Sequence, residues 1–191
     1  MKSKIKEEFL ESAEVKRVFA EQSADQIAQV TERIIAALKQ GRKVLLFGNG
    51  GSATDASHLA AELVGRYAKN RKALPAIALT TDQSVITSIG NDLGFSEIFS
   101  RQIEALGQKG DIAIAISTSG KSANVLKGVE AARAIGMVTI GFTGGDGGPL
   151  AARVDHAFIV PSKVTARIQE THITLGHVIC GRVEEAFSES Y

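Results

Sequence analysis

Residues 43–67, KVLLFGNGGSATDASHLAAELVGRY, pass from an unbroken apolar run through a glycine-rich turn into an alanine-rich stretch that carries His58 and Glu62. The run KVLLFG (43–48) does not alternate polar with apolar residues, so it reads as a strand buried on both faces. Residues 52–67 read as the helix that follows. Four more runs repeat the strand signature: PAIALT (75–80), DIAIAIS (111–117), MVTIGF (137–142) and HAFIVP (156–161). Helical segments are expected near 84–90, 96–106, 121–135 and 165–187. Buried strands alternating with helices imply an α/β fold, a three-layer doubly wound parallel sheet of five strands. Ahead of it, two helices are expected at about 3–22 and 24–40, the second with Ile27, Val30, Ile34 and Leu38 at helical spacing. No repeat or long linker divides the 191 residues, so one domain is expected over 1–191, with a helical pair at 1–40 and an α/β core at 41–191.

Bulk properties exclude several classes of function. The chain has 22 basic and 21 acidic residues, a net charge of +1, and so lacks the cationic surface that nucleic acid demands. A local basic group at Lys69, Arg71 and Lys72 reads as a solvated loop. Cys180 is the single cysteine, which rules out an intrachain disulfide and fits a reducing, cytoplasmic setting. The charged N-terminal segment lacks the apolar centre of a signal peptide, and no apolar run reaches the roughly 20 residues needed to span a bilayer. Neither nucleic acid nor membrane is expected as a partner.

In a doubly wound sheet, ligands bind beyond the carboxyl ends of the strands. The turns there are GNGGS, TTDQS, STSGKS and TGGDGG, all rich in Gly, Ser, Thr and Asp. Residues 48–53 satisfy the loose dinucleotide pattern G-x-G-x-x-A, which also needs an acidic residue about 20 positions on. The first acidic residue past the next strand is Asp82, 34 positions after Gly48, which argues against a nicotinamide site. Gly120-Lys121-Ser122 imitates the end of a nucleotide-triphosphate loop, yet Ala115 stands where that motif needs its first glycine. What these turns do offer is N–H groups and hydroxyls at helix starts, suited to a monoester phosphate. Ser117, Thr118, Ser119 and Ser122 are the candidate cradle, against the plainer reading of ordinary helix caps.

His58 and Glu62, at i and i+4, face the same way on their helix. RIQETHITLGHVICGRVEEAF, on the last helix, carries Gln169, Glu170, His172 and His177. A His paired with a carboxylate beside a phosphate turn suits metal binding or acid/base work.

The blocks GNGGSATDASHLAAELVGRY, TTDQSVITSIGND, ISTSGKSANV and RIQETHITLGHVICGRVE resemble those of the sedoheptulose 7-phosphate isomerases, enzymes built on the sugar isomerase (SIS) domain. The resemblance runs from about residue 43 to 187. It implies five parallel strands between helices, assembled as a homotetramer with active sites at subunit interfaces. It implies conversion of sedoheptulose 7-phosphate to D-glycero-D-manno-heptose 7-phosphate, the first step toward the ADP-heptose of lipopolysaccharide or capsule. Ser117, Thr118, Ser119 and Ser122 match the family's phosphate cradle. Asn49, Gly50, Gly51, Asn91 and Asp92 match positions lining the sugar, and Ser52, Glu62 and Gln169 are counted with them. His58, Glu62, Gln169 and His177 match a zinc site, one ion per subunit, and Glu62 and His177 match the acid/base pair.

Isomerisation through an enediol needs a base near the C1–C2 bond, and either a second group that moves protons on the oxygens or a cation that polarises the carbonyl. Glu62 is taken as the base at carbon and His177 as its partner, with exchange of those roles open; Asp92 is assigned to holding hydroxyls. Gln169 and His177 lie about 12 Å apart along one straight helix. They meet at one ion at full reach, with a bent helix, or with a ligand from a neighbouring subunit. His172 is the alternative ligand. Two rivals remain: a relative that binds the replication initiator and lacks the equivalents of Glu62 and His177, and SIS proteins acting on other sugar phosphates.

Overall fold

A computed structural model describes residues 1–188, and the remaining three residues of the expected 1–191 domain lie outside the described residues. Its elements are α1 (Lys2–Lys39), β1 (Val44–Gly48), α2 (Gly51–Val64), β2 (Ala76–Ala78), α3 (Gln83–Asp92), α4 (Ser100–Leu106), β3 (Ile112–Ile116), α5 (Ala123–Ile135), β4 (Val138–Gly144), α6 (Gly148–Ala151), β5 (His156–Val160) and α7 (Thr165–Ser188), with a 3-10 turn at Phe95–Glu97 before α4. The five strands are parallel in the order β2-β1-β3-β4-β5.

The central strands β1, β3 and β4 bury both faces, as expected, whereas the edge strands β2 and β5 leave Ile77 and Ile159 exposed. Val44 and Leu46 of β1 pack into a layer with residues of α1, α2 and α7. Leu45 and Phe47, pointing the other way, pack with residues of α4, α5 and α6.

The expected N-terminal pair is one helix of 38 residues. Residues 1–40 contain neither Gly nor Pro, so nothing stops the first helix at the expected break near residue 23. Ser23 is instead buried within α1. The C-terminal half packs through Phe19, Val30, Ile34 and Leu38, while Ile5, Phe9 and Leu10 of the first half are exposed, Phe9 by 75%. β2 is shorter than expected because only Leu79 N–H still bonds Leu46 before the chain turns away at Thr80 and Thr81. α2 ends at Val64 rather than 67, since the N–H groups of Tyr67, Ala68 and Lys69 bond Glu184 instead of continuing the helix. Arg71, expected in a solvated loop, is buried against that same carboxylate.

Candidate active site

The chain runs from β1 outward to β2 at one edge, then returns past β1 to β3. The switch point therefore lies between β1 and β3, where an open α/β sheet binds its ligands. The turns after these two strands are GNGGS and STSGKS. Asn49 and Asn124 bridge them, each amide donating to the other's carbonyl oxygen at 2.8 and 2.9 Å.

Neither helix that starts here has a side-chain cap. Gly50 precedes α2 and Ser122 precedes α5, and the Ser122 hydroxyl makes no capping bond. α3, by contrast, is capped by Asp82, which accepts from Val85 N at 3.0 Å. The Ser122 hydroxyl lies 3.2 Å from that of the buried Ser117. Ser119 accepts from Lys121 N, and Gly120, at φ +63°, lets the loop approach Gly147, where a Cβ would meet the carbonyl oxygen at 2.1 Å. The start of α5 is thus left without a cap from Ser122 at the switch point, beside the buried Ser117, which disfavours the reading of Ser122 as a plain cap. Thr118 and Ser119 also border a cavity of 370 Å³ with Lys121, Gly144, Gly145 and Lys163.

Ser52 is buried at the start of α2, and Gly50 and Gly51 form the turn above it. Gln169 lies against Gly51, close enough that a Cβ there would stand 2.4 Å from its amide nitrogen. Asn91 and Asp92 close α3, exposed and bonded to each other at 2.7 Å. Asp92 borders a separate cavity of 610 Å³ beside Ile77, Asp82 and Arg101.

α2 and α7 lie side by side on one face of the sheet, with Gly176 facing Leu59. This contact brings together residues more than 100 positions apart. His58 Nε2 is 3.0 Å from Glu62 Oε1 and 3.3 Å from His177 Nε2, and the three ligand atoms lie within 4.8 Å of one another. The donor set fits zinc. Ligand atoms about 2.0–2.1 Å from a tetrahedral ion stand roughly 3.3 Å apart, close to the two separations from His58.

Gln169 is eight residues from His177, two turns up α7 beside Gly51, so within one chain the structure gathers three of the four matched donors. His172 is no alternative ligand. It is buried against the sheet, its Nε2 donates to the Thr143 carbonyl at 3.0 Å, and burial pushes its pKa down to about 4.

The cluster is also offset along α2 from the glycine turn. His58 and Glu62 are seven and eleven residues past Gly51, about 10 and 16 Å along the helix. Within one chain both side chains therefore lie along the flank of α2, away from the glycine turn at its start.

Sequence reading passed over four residues that shape these features. Asn124 locks the two turns. Asp55, one turn before His58, keeps a buried Oδ2 without a partner, and burial raises its pKa against the opposing pull of His58. Tyr67 lies against His177 with ring centroids 5.8 Å apart, and Glu184 holds the Tyr67 backbone. Only Asp55 had a sequence signal, its i, i+3 spacing to His58.

Residues 9–144 match the SIS domain family. The chain is 59% identical over 189 residues to a phosphoheptose isomerase of Aquifex aeolicus (strain VF5), covering 99% of each. Among solved structures it resembles phosphoheptose isomerase GmhA of Neisseria gonorrhoeae, at 43% identity and a TM-score of 0.91, covering 96% of this chain and 98% of that one. A phosphoheptose isomerase of Francisella tularensis aligns at 40% identity and a TM-score of 0.92, covering 96% and 97%.

Proposed function

The chain belongs to the phosphoheptose isomerases of the SIS-domain family, and from that membership we propose that it interconverts sedoheptulose 7-phosphate and D-glycero-D-manno-heptose 7-phosphate. The observation that carries the reading is the pairing of two features in one chain: an uncapped hydroxyl loop at the switch point and the His58–Glu62–His177 cluster.

The hydroxyls of Ser117, Thr118, Ser119 and Ser122 and the start of α5 hold the 7-phosphate. Asn49, Gly50, Gly51 and Ser52 line the sugar beside it, and Asn91 and Asp92 hold hydroxyls. Glu62 takes a proton from C1 and returns it to C2 through an enediol. His177 gives a proton to O2 and takes one from O1, so no hydrogen is gained or lost overall. His58, Glu62 and His177, with Gln169, would hold zinc, which when bound supplies Lewis-acid polarisation of the carbonyl.

Catalysis at C1 and C2 takes place at the end of the substrate opposite the phosphate. Even so, the 16 Å from Gly51 to Glu62 along α2 favours a site shared between copies, with the cradle from one and the cluster from another. The same arrangement supplies Gln169 from a neighbour. The exposed Ile5, Phe9 and Leu10 of α1 suit contact between copies, in keeping with residues 1–40 as the oligomerising part of a homotetramer. The reading assigns the enzyme to the cytoplasm and its product to ADP-heptose for lipopolysaccharide or another glycan.

The test is turnover of sedoheptulose 7-phosphate by chelator-treated protein with and without added zinc, the product identified by NMR. Conversion to the aldoheptose phosphate that zinc restores is the expected result. A folded oligomer that converts nothing under either condition would refute the reading in favour of a regulatory SIS protein or another sugar phosphate.

A further inference from the structure

The loop that leaves α2 is held by a buried ion pair that the isomerase reading does not use. Glu184, buried on α7, accepts from three successive backbone N–H groups. Tyr67 N bonds one carboxylate oxygen, and Ala68 N and Lys69 N bond the other, each at 2.7 Å. Burial works to raise the Glu184 pKa, and the N–H groups of Lys69, Ala68 and Tyr67, with Arg71 beyond, hold it below its ordinary value. Arg71 is buried as well. Its guanidinium donates to the carbonyls of Glu62 at 2.6 Å, Lys72 at 3.0 Å and Gly65 at 3.2 Å. The loop from 65 to 72 is thus tied to α7 on one side and to the backbone of Glu62 on the other. Burying two ions under a surface loop costs solvation.

What the clamp delivers is the Tyr67 ring. It lies over Gly181, where a Cβ would stand 3.3 Å from the ring, so α7 leaves room for it one turn beyond His177. The ring is tilted 42° against the His177 imidazole, with centroids 5.8 Å apart. His177 also meets His58, with centroids 5.0 Å apart. The imidazole of His177 thus contacts two rings, one inside the cluster and one outside it.

We propose that Tyr67 is a positioning residue for His177, and that the Glu184–Arg71 clamp serves to hold it there. A histidine on a helix flank has several accessible rotamers. The Tyr67 ring favours the one that directs Nε2 toward His58 and Glu62, as partners outside a metal or catalytic set commonly do for imidazoles within it. The kinetic consequence rests on the isomerase reading; the geometric one does not.

The chain has four histidines, few enough for their ring signals to be followed by NMR in selectively labelled, metal-free protein. Tyr67→Ala is expected to spread His177 over several rotamers and to weaken its contact with His58. Tyr67→Phe is expected to keep the wild-type signals, because the ring and not the hydroxyl makes the contact. With sedoheptulose 7-phosphate, Tyr67→Ala is expected to lower kcat roughly tenfold while KM stays near wild type, and Tyr67→Phe to restore kcat. Glu184→Gln removes a buried charge and can cost folding, so the Tyr67 variants decide; Tyr67 is 42% exposed and tolerates truncation. Unchanged His177 signals in Tyr67→Ala overturn the inference, and so does a Tyr67→Phe protein as impaired as Tyr67→Ala. A wild-type protein that turns over no heptose phosphate would count against the isomerase reading alone, since the NMR result stands without substrate.

Discussion

Replacing Ser122 with Ala separates a phosphate cradle from a helix cap. Were the Ser122 hydroxyl a cap, its loss would cost about 1 kcal/mol of stability. In a domain of this size that lowers Tm by roughly 2–4 °C, and substrate affinity would be nearly untouched. The structure points the other way. The hydroxyl makes no bond to the first turn of α5, and its one hydrogen-bond partner among the described residues is Ser117 Oγ at 3.2 Å, a long contact that water can replace. Removing it should leave Tm within about 1 °C of wild type. The bound phosphate would lose a hydrogen bond to a charged group, worth about 1.5–3 kcal/mol. That corresponds to a roughly 10- to 150-fold rise in KM at 25 °C, with a smaller change in kcat. Steady-state kinetics with sedoheptulose 7-phosphate measure the first quantity. Thermal unfolding with and without inorganic phosphate measures the second and should show wild-type protein gaining more from phosphate than the variant. A lowered Tm with an unchanged KM would return Ser122 to the role of a cap and remove the main support for placing the phosphate at the start of α5.

Glu62→Gln keeps the shape of the cluster but removes the base, so kcat should fall by about 10²–10⁴ with the oligomer intact; near-normal turnover would exclude Glu62 as the group at carbon. If each site draws its cradle and its cluster from different copies, inactive Glu62→Gln and poorly binding Ser122→Ala proteins should regain activity when unfolded together and refolded as mixed oligomers. Mixtures no more active than the average of their parents would show that one chain supplies both halves. His172 has a folded-state pKa of about 4 because burial disfavours its charged form, whereas the unfolded chain takes up a proton near pH 6.5. Its contribution is therefore complete above about pH 6.5 and declines as the pH falls to 4, by about 3 kcal/mol over that window. Denaturant unfolding at several pH values should show a flatter profile for His172→Gln, whose amide can still donate to Thr143; profiles of equal slope would count against His172 as the cause.

Local chemistry determined what the sequence alone could establish. Apolar runs without alternation marked the five strands, the glycine and hydroxyl turns marked their ligand-binding ends, and the helical stretches between them made the sheet parallel. These signals lie within a few residues of one another, and the chain order then leaves β1 and β3 flanking the switch point. The four matched blocks also carried the family.

Whether α1 is one helix or two depended on a feature missing from the sequence, a Gly or Pro near Ser23. Orientation around α7 was decided only in the tertiary structure. His172 and His177 are five residues apart and so about 140° apart around a helix; once Phe142 and the sheet take His172, His177 must face elsewhere. The meeting of His177 with His58 then depends on the register of α7 against α2, which the close fit of Gly176 on Leu59 sets across 117 residues of chain. The same register leaves Gln169 beside Gly51 and puts Tyr67 over Gly181. No periodicity in either helix encodes that alignment, because it belongs to the pair.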